Sequence, residues 1–447
     1  MKIKAKNILF SNPLFGYLLA FAIGYICGVA NLRGPIVELP YIGLIALCLL
    51  FAFQNNLARV FSLLAYIVYI EIYIRAYGRA LPYLTTQYFF ILLIIILSFK
   101  KRGEWRIYSR SFIMMVLYCI MEILDMVRAE DINVTRGIAV QTVTLTMTVI
   151  WGAFNFLTPE IINKLFTHIK YASIFICGVM VTAHLSVVKY SLFSNYDVTN
   201  GLAPVQLSGY LGFACIIFFW SILNEKELNY KMLLNVVMMG VVSVYMLLSF
   251  SRGGFYFLSI IVLLYFLFNL SKVRSYLVLL MIIPIAISVY LYVSEETGGL
   301  IGKRYAEKGS SGRDVLVEIG FKLFEAEPLA GVGTGNFSHE VEARKLYYTE
   351  SGAHNEFIRA AAEHGFLGIF FYWGFFALLF LEIFARQGVQ REYAFYFALL
   401  FCMITVHNGL KISLQPMLMM LAVATPNLIQ VRRKNYVPDT TKLAIRT

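Results

Sequence analysis

The side chains best suited to chemistry in this sequence lie in three short runs: Ser251-Arg252-Gly253-Gly254, Ser310-Ser311-Gly312-Arg313 and Ala353-His354-Asn355-Glu356-Phe357. Arg252 falls between two apolar runs, where a guanidinium is costly unless it snorkels to water or meets an anion. The two glycines behind it permit a tight turn and leave backbone N–H groups open, an anion-binding arrangement. Arg313 opens the stretch Asp314 to Glu325, in which Val315, Ile319 and Leu323 recur at helical spacing. That pattern predicts an amphipathic helix against a membrane surface, ended by Pro328. Free N–H groups at a helix start also attract anions; the plainer alternative for Arg313 is a solvated charge near a cap. His354 precedes a helical stretch, Asn355 to His364, closed by Gly365, and a neutral imidazole there can take a proton near neutral pH.

Other residues carry weaker signals. Gly-Val-Gly-Thr-Gly-Asn-Phe, from Gly331 to Phe337, is not a nucleotide loop: it does not fit G-x-G-x-x-G, and no strand or Walker lysine surrounds it. It reads instead as a flexible turn that brings Asn336 and His339 near the membrane. His339 and His364 are further proton-transfer candidates, while His168, His184 and His407 lie outside this region and read as structural. Glu363 falls on roughly the opposite helix face from His354 at about 100° per residue, which disfavours a simple dyad. Glu71 with Arg75, and Glu122 with Asp125 and Arg128, are charged groups inside apolar runs; they suit helix packing or an ion path.

These residues must be positioned by a largely apolar chain. Of its 447 residues 59% are hydrophobic and 14% charged, and mean hydropathy is +0.71, which excludes an ordinary soluble domain. Apolar runs near the length that crosses a bilayer recur at 13–31, 36–53, 57–78, 81–99, 110–127, 137–157, 170–190, 204–223, 231–250, 254–269, 274–293, 365–384, 392–409 and 412–429. In lipid such runs must be helices. The expectation is an all-α polytopic membrane protein of about 12–14 spans. It divides into a bundle over 1–293, a large polar loop over 294–364 with short amphipathic helices, further spans over 365–429 and a basic tail over 430–447.

Charge placement sets the orientation. With Lys2, Lys4 and Lys6 inside, one set of loops holds about 22 of the 38 basic residues, so both termini read as cytoplasmic and the polar loop as external. The net charge of +12 then reflects topology and anionic lipid, not nucleic acid. The six cysteines fall within the spans with no Cys-x-x-Cys pair, so neither a disulfide nor a zinc site is indicated.

Taken in order, SRGG at a hairpin, SGR, GVGTGNF and AHNEF in one external loop, and EHGFLGI entering a span resemble the O-antigen ligase and polymerase superfamily over about residues 245–385. The resemblance implies a bacterial inner-membrane glycosyltransferase of the C-type, metal-independent, inverting and without a cofactor. Such enzymes move a glycan from undecaprenyl diphosphate to an acceptor hydroxyl on the periplasmic side, in lipopolysaccharide or other surface-polysaccharide assembly. Polymerases use another lipid-linked repeat unit as acceptor, with a chain-length regulator as a further partner; ligases use lipid A–core. Carried over by position, the family's paired arginines match Arg252 and Arg313 and its loop histidine matches His354. Gly253, Asn336, His339 and Asn355 are expected beside the substrate, and no metal ligand is expected. The polymerase reading comes first, the ligase second, and a lipid-linked oligosaccharide flippase is the rival from another class.

Overall fold

Short polar side chains set many of the helix starts. Asn12 accepts from the Leu14 N–H (3.0 Å), Asp131 from Asn133 (2.8 Å), Asn229 from Met232 (2.9 Å) and Asn355 from Phe357 (3.0 Å), each satisfying a backbone donor that the helix leaves open. Pro13, Pro35 and Pro204 occupy first turns, where a missing N–H costs nothing. The computed structural model describes residues 12–99, 107, 109–185, 190–191, 195–225, 227–307, 313–345, 352–386 and 389–424, which hold helices and no strand. The basic tail, Ser310 to Gly312 and Tyr347–Tyr348 lie outside the described residues.

The first nine helices are α1 (Pro13–Val29), α2 (Pro35–Phe53), α3 (Leu57–Tyr77), α4 (Thr85–Phe99), α5 (Phe112–Leu124), α6 (Ile132–Phe154), α7 (Pro159–Leu185), α8 (Asn195–Val198) and α9 (Pro204–Asn224). There follow α10 (Tyr230–Leu248), α11 (Gly253–Phe268), α12 (Val273–Glu296), α13 (Leu300–Glu307), α14 (Arg313–Ala326), α15 (Phe337–Ala343), α16 (Glu356–Gly368), α17 (Gly374–Ala385), α18 (Val389–Asn408) and α19 (Leu414–Val423). Each expected span overlaps one of these helices. Among the described residues eight helical spans are long and apolar enough to cross a membrane, α16 and α17 counting as one, and α1, α4, α11 and α19 are shorter apolar helices. The chain is an all-α polytopic membrane protein. Its centre holds α9 and α19, the latter buried along its whole length. Leu18, Ile26, Leu280, Leu291 and Leu381 stand uncovered on the outside, a surface suited to lipid and unsuited to water.

Loop contacts sort into two ends. At one, Glu382 accepts from the Arg110 N–H (2.6 Å) and Arg386 donates to the Ala422 carbonyl (3.0 Å). At the other, Arg75 donates to the Lys411 carbonyl (2.6 Å) and Arg128 to the Gly331 carbonyl (2.6 Å). The polar loop belongs to the second end.

That loop has a core of its own. Leu316, Ile319 and Leu323 of α14 meet Val332, Phe337, Val341, Ala353 and Ala362. The helix expected after Arg313 forms, but its buried face starts at Leu316, while Val315 is 38% exposed. Its apolar stripe is therefore covered by protein, chiefly α16, and the expected membrane-surface packing is corrected accordingly.

Glycine at 365 breaks the α16 helix with φ +60°, and the break exposes backbone groups that need partners. The Gly331 to Phe337 run supplies them. Val332 N–H donates to the Ala362 carbonyl (3.0 Å) and Gly333 N–H to that of Glu363 (2.9 Å), while Phe366 N–H donates to the Pro328 carbonyl (2.8 Å). Gly331, at φ +63°, approaches so closely that a Cβ would lie 2.2 Å from the Glu363 carbonyl carbon. The glycine run is thus a buried cap on a broken helix, and the flexible turn expected from sequence is not what forms.

The Ser251–Gly254 hairpin is fastened to α9. Gly254 N–H donates to Ser208 Oγ (2.9 Å), which donates to the Ser251 carbonyl (3.1 Å). A Cβ at Gly254 would fall 1.9 Å from the Ser208 carbonyl oxygen. The expectation that both glycine amides stay open to an anion fails at Gly254, whose amide already has its acceptor. Gly254→Ala is expected to destabilise the protein by about 1–3 kcal/mol through overpacking. Gly240→Ala, whose Cβ would meet Ile285 at 3.5 Å, is expected to be neutral or stabilising. Melting temperatures in one detergent compare the two, and equal values would refute the close-packing account.

Candidate active site

Arg252, Arg313, His354 and Asn355 line one cavity of about 570 Å³, together with Tyr256, Asp314, Val317, Val406 and His407. Four separate segments build it. Arg252 stands immediately before α11, and Arg313 is the first residue of α14. His354 lies one residue before the Asn355 cap of α16, held at φ +50°, a left-handed turn in which His is enriched. His407 comes from the last turn of α18.

Arg313 Nη1 donates to the His407 ring, 2.6 Å from Nδ1. A guanidinium has donors only, so the imidazole nitrogen it meets presents a lone pair. His407 in turn sits over Gly253, where a Cβ would come within 2.8 Å of its ring, and meets the edge of Phe257 at a centroid distance of 6.0 Å. Burial, and after it the charge of Arg252, holds the Arg313 guanidinium below its usual value. Burial and Arg252 push Arg304 the same way. Cations that disfavour one another's charge in a half-buried cleft make a field that attracts an anion.

The remaining candidates from the sequence go elsewhere. Gly253 serves the close approach of His407. Asn336 is buried; it donates to the carbonyls of Arg128 (2.8 Å) and Val332 (3.0 Å) and accepts from Glu130 N–H (3.0 Å). Its amide is a clamp between loops, and substrate contact at Asn336 is corrected to that role. His339 is exposed on α15 and does not line this cavity. His168 and His184 bond to Tyr66 and Tyr190 as structural residues do, but His407 belongs with the arginines. The signal for it was a histidine followed by Asn408 and Gly409 at the end of a span.

Further along α16 lies a buried charge cluster. Arg359 donates to Glu122 of α5 (2.6 Å), to Tyr118 (3.2 Å) and to Glu356 and Glu363 of its own helix. His364 lies 3.3 Å from Asp125. Among the described residues Glu122, Glu363 and His364 have metal-ligand spacing, but Arg359 already brings these carboxylates positive charge. Glu71 pairs with Arg75 and accepts from Tyr210 and the Ser413 N–H. Both charged groups in the spans therefore fasten loops, as packing residues do.

The order of Arg252, Arg313, the glycine cap and His354 along one stretch of chain now meets a comparison with known proteins: residues 237–373 match the O-antigen ligase family. Over these residues the chain is similar to that family. No curated protein matches the chain. The matched stretch runs from within α10 to the π-helical turn after α16, and holds both arginines and His354. His407 and all of α1–α9 lie outside it. Removing Arg359 as Arg359→Met strands three buried carboxylates and is expected to cost about 3–5 kcal/mol. Thermal unfolding in detergent measures it, and a melting temperature equal to wild type would show that the cluster does not hold the loop.

Proposed function

We propose that the protein transfers a glycan from undecaprenyl diphosphate to an acceptor sugar hydroxyl at the external face of the bacterial inner membrane, with both termini cytoplasmic. The observation that carries this reading is the meeting of Arg252, Arg313 and His354 on one cavity, within the stretch similar to the O-antigen ligase family. The acceptor oxygen attacks the anomeric carbon as the bond from that carbon to the diphosphate oxygen breaks. The electron pair leaves with the diphosphate, and the hydroxyl proton passes to His354. A single displacement inverts the anomeric centre. Arg252 and Arg313 bind the diphosphate and stabilise the charge it gains, supplying the positive field that a divalent metal would otherwise provide. His407 holds the Arg313 guanidinium in place. The uncovered Tyr256 and Val406 at the cavity give the lipid an apolar approach.

A surface-polysaccharide polymerase fits this chemistry, with the ligase as the alternative. Loss of the long glycan ladder with a single capped repeat retained, in cells lacking the gene, supports the polymerase. An uncapped core with free lipid-linked polymer supports the ligase, and neither pattern sinks both. In purified protein, Arg252→Ala, Arg313→Ala and His354→Ala are each expected to cut turnover at least about tenfold. His407→Ala is expected to raise the donor KM roughly threefold to tenfold, with partial recovery in His407→Gln, which keeps an acceptor. Wild-type turnover in His354→Ala removes the general base from the scheme.

A further inference from the structure

Ala353, His354 and Asn355 line not one cavity but two. On the far side of this thin wall is a second chamber of about 400 Å³, a volume that suits a sugar-sized ligand. Its chemistry differs from that of the arginine cavity. Tyr83, Asn133, Gln141, Glu356, Glu363, Arg359 and Lys411 give it a phenol, two amides, two carboxylates paired with a guanidinium, and an ammonium. Donors and acceptors of mixed sign suit a ring carrying several hydroxyls, and suit a phosphate poorly.

Two details show the chamber as built. The carboxylates at its floor are fixed by Arg359, so they stand as oriented acceptors. Tyr83 is fixed as well: the Arg75 guanidinium lies 4.0 Å from its ring centroid and donates to its hydroxyl at 3.0 Å. The ring is half-exposed, a surface on which the apolar face of a sugar can stack. Gly137 is an independent sign. It lies inside α6, where glycine is less favourable than alanine, yet a Cβ there would meet no atom within 4 Å. Neither turn nor tight packing calls for it. What its missing side chain provides is space in the chamber it lines.

We propose that this chamber is the acceptor subsite: it holds the terminal sugar of the acceptor glycan and presents one hydroxyl across the wall to His354. The inference rests on the transferase reading, with the donor diphosphate in the arginine cavity. It adds that α6 and the segments at Tyr83 and Lys411, all outside the matched stretch, choose the acceptor. Gln141 and Asn133 are specificity-determining residues in this scheme.

Gly137→Phe tests it, since the side chain enters open space. Full-length protein in nanodiscs is given lipid-diphosphate-linked oligosaccharide from the source cells as donor. The acceptor is the same glycan freed of its lipid diphosphate, at rising concentration. The acceptor KM is expected to rise at least about tenfold, while binding of undecaprenyl diphosphate alone stays within roughly twofold of wild type. Gln141→Leu, nearly the same size, is expected to raise the acceptor KM by roughly threefold to tenfold through a lost hydrogen bond, and serves where Gly137→Phe does not fold. Unchanged acceptor KM in the variant that folds overturns the proposal. So does loss of undecaprenyl diphosphate binding in Gly137→Phe, which would give the chamber to the donor. A wild type that joins glycan neither to this acceptor nor to lipid A–core overturns the transferase reading, and the acceptor assignment falls with it.

Discussion

A buried guanidinium surrounded by carboxylates is the contact on which the polar-loop end of this molecule depends. A charge out of water is tolerable only when paired and hydrogen-bonded, and Arg359 meets that condition through Glu356, Glu363 and Glu122. The first two belong to α16 itself and the third to α5, so the pairing ties distant parts of the chain. His364 between Glu122 and Asp125 adds a second tie on the same helix. Rotating or sliding α16 would expose these charges to apolar surroundings. His354 and Asn355 lead directly into that helix, so their place follows from a cluster that begins at the next residue, Glu356.

Much of this architecture was legible in the residues. Apolar run length located each of the eight long apolar helices, because lipid leaves the backbone no alternative to a helix. Gly365 was legible as a helix end, and Arg252, Arg313 and His354 were grouped as a set by the resemblance that the ordered SRGG, SGR and AHNEF motifs carry. Other features were hidden for physical reasons. Asn336 after a glycine run looks solvated; its burial follows from the need to satisfy loop carbonyls that no sequence pattern announces. Val315 and Leu316 differ by one position, and only the partner surface decides which faces inward. His407 lies far along the chain from Arg313, and a histidine at the end of a span carries no mark of its neighbour.

The two cavities divide charge in a way that matches a two-substrate reaction. On one side Arg252 and Arg313, with Arg304 close enough to feel the same field, concentrate positive potential where, in the proposed reaction, the leaving group gains negative charge. On the other, the carboxylates are held by Arg359 and offer directed acceptors rather than bulk negative field. The proposed base stands between them, so the proton and the electron pair depart in opposite directions.

The boundary of the matched stretch has one more meaning. In the proposed scheme the residues that grip the lipid diphosphate lie almost wholly inside residues 237–373, whereas α6, Tyr83 and Lys411 lie outside. In the proposed scheme a chain organised this way could change its acceptor while its hold on the carrier is kept, because no residue of α6 lines the arginine cavity. Diversity of cell-surface sugars would then be written in the amino-terminal helices, on a reaction centre that need not be reinvented.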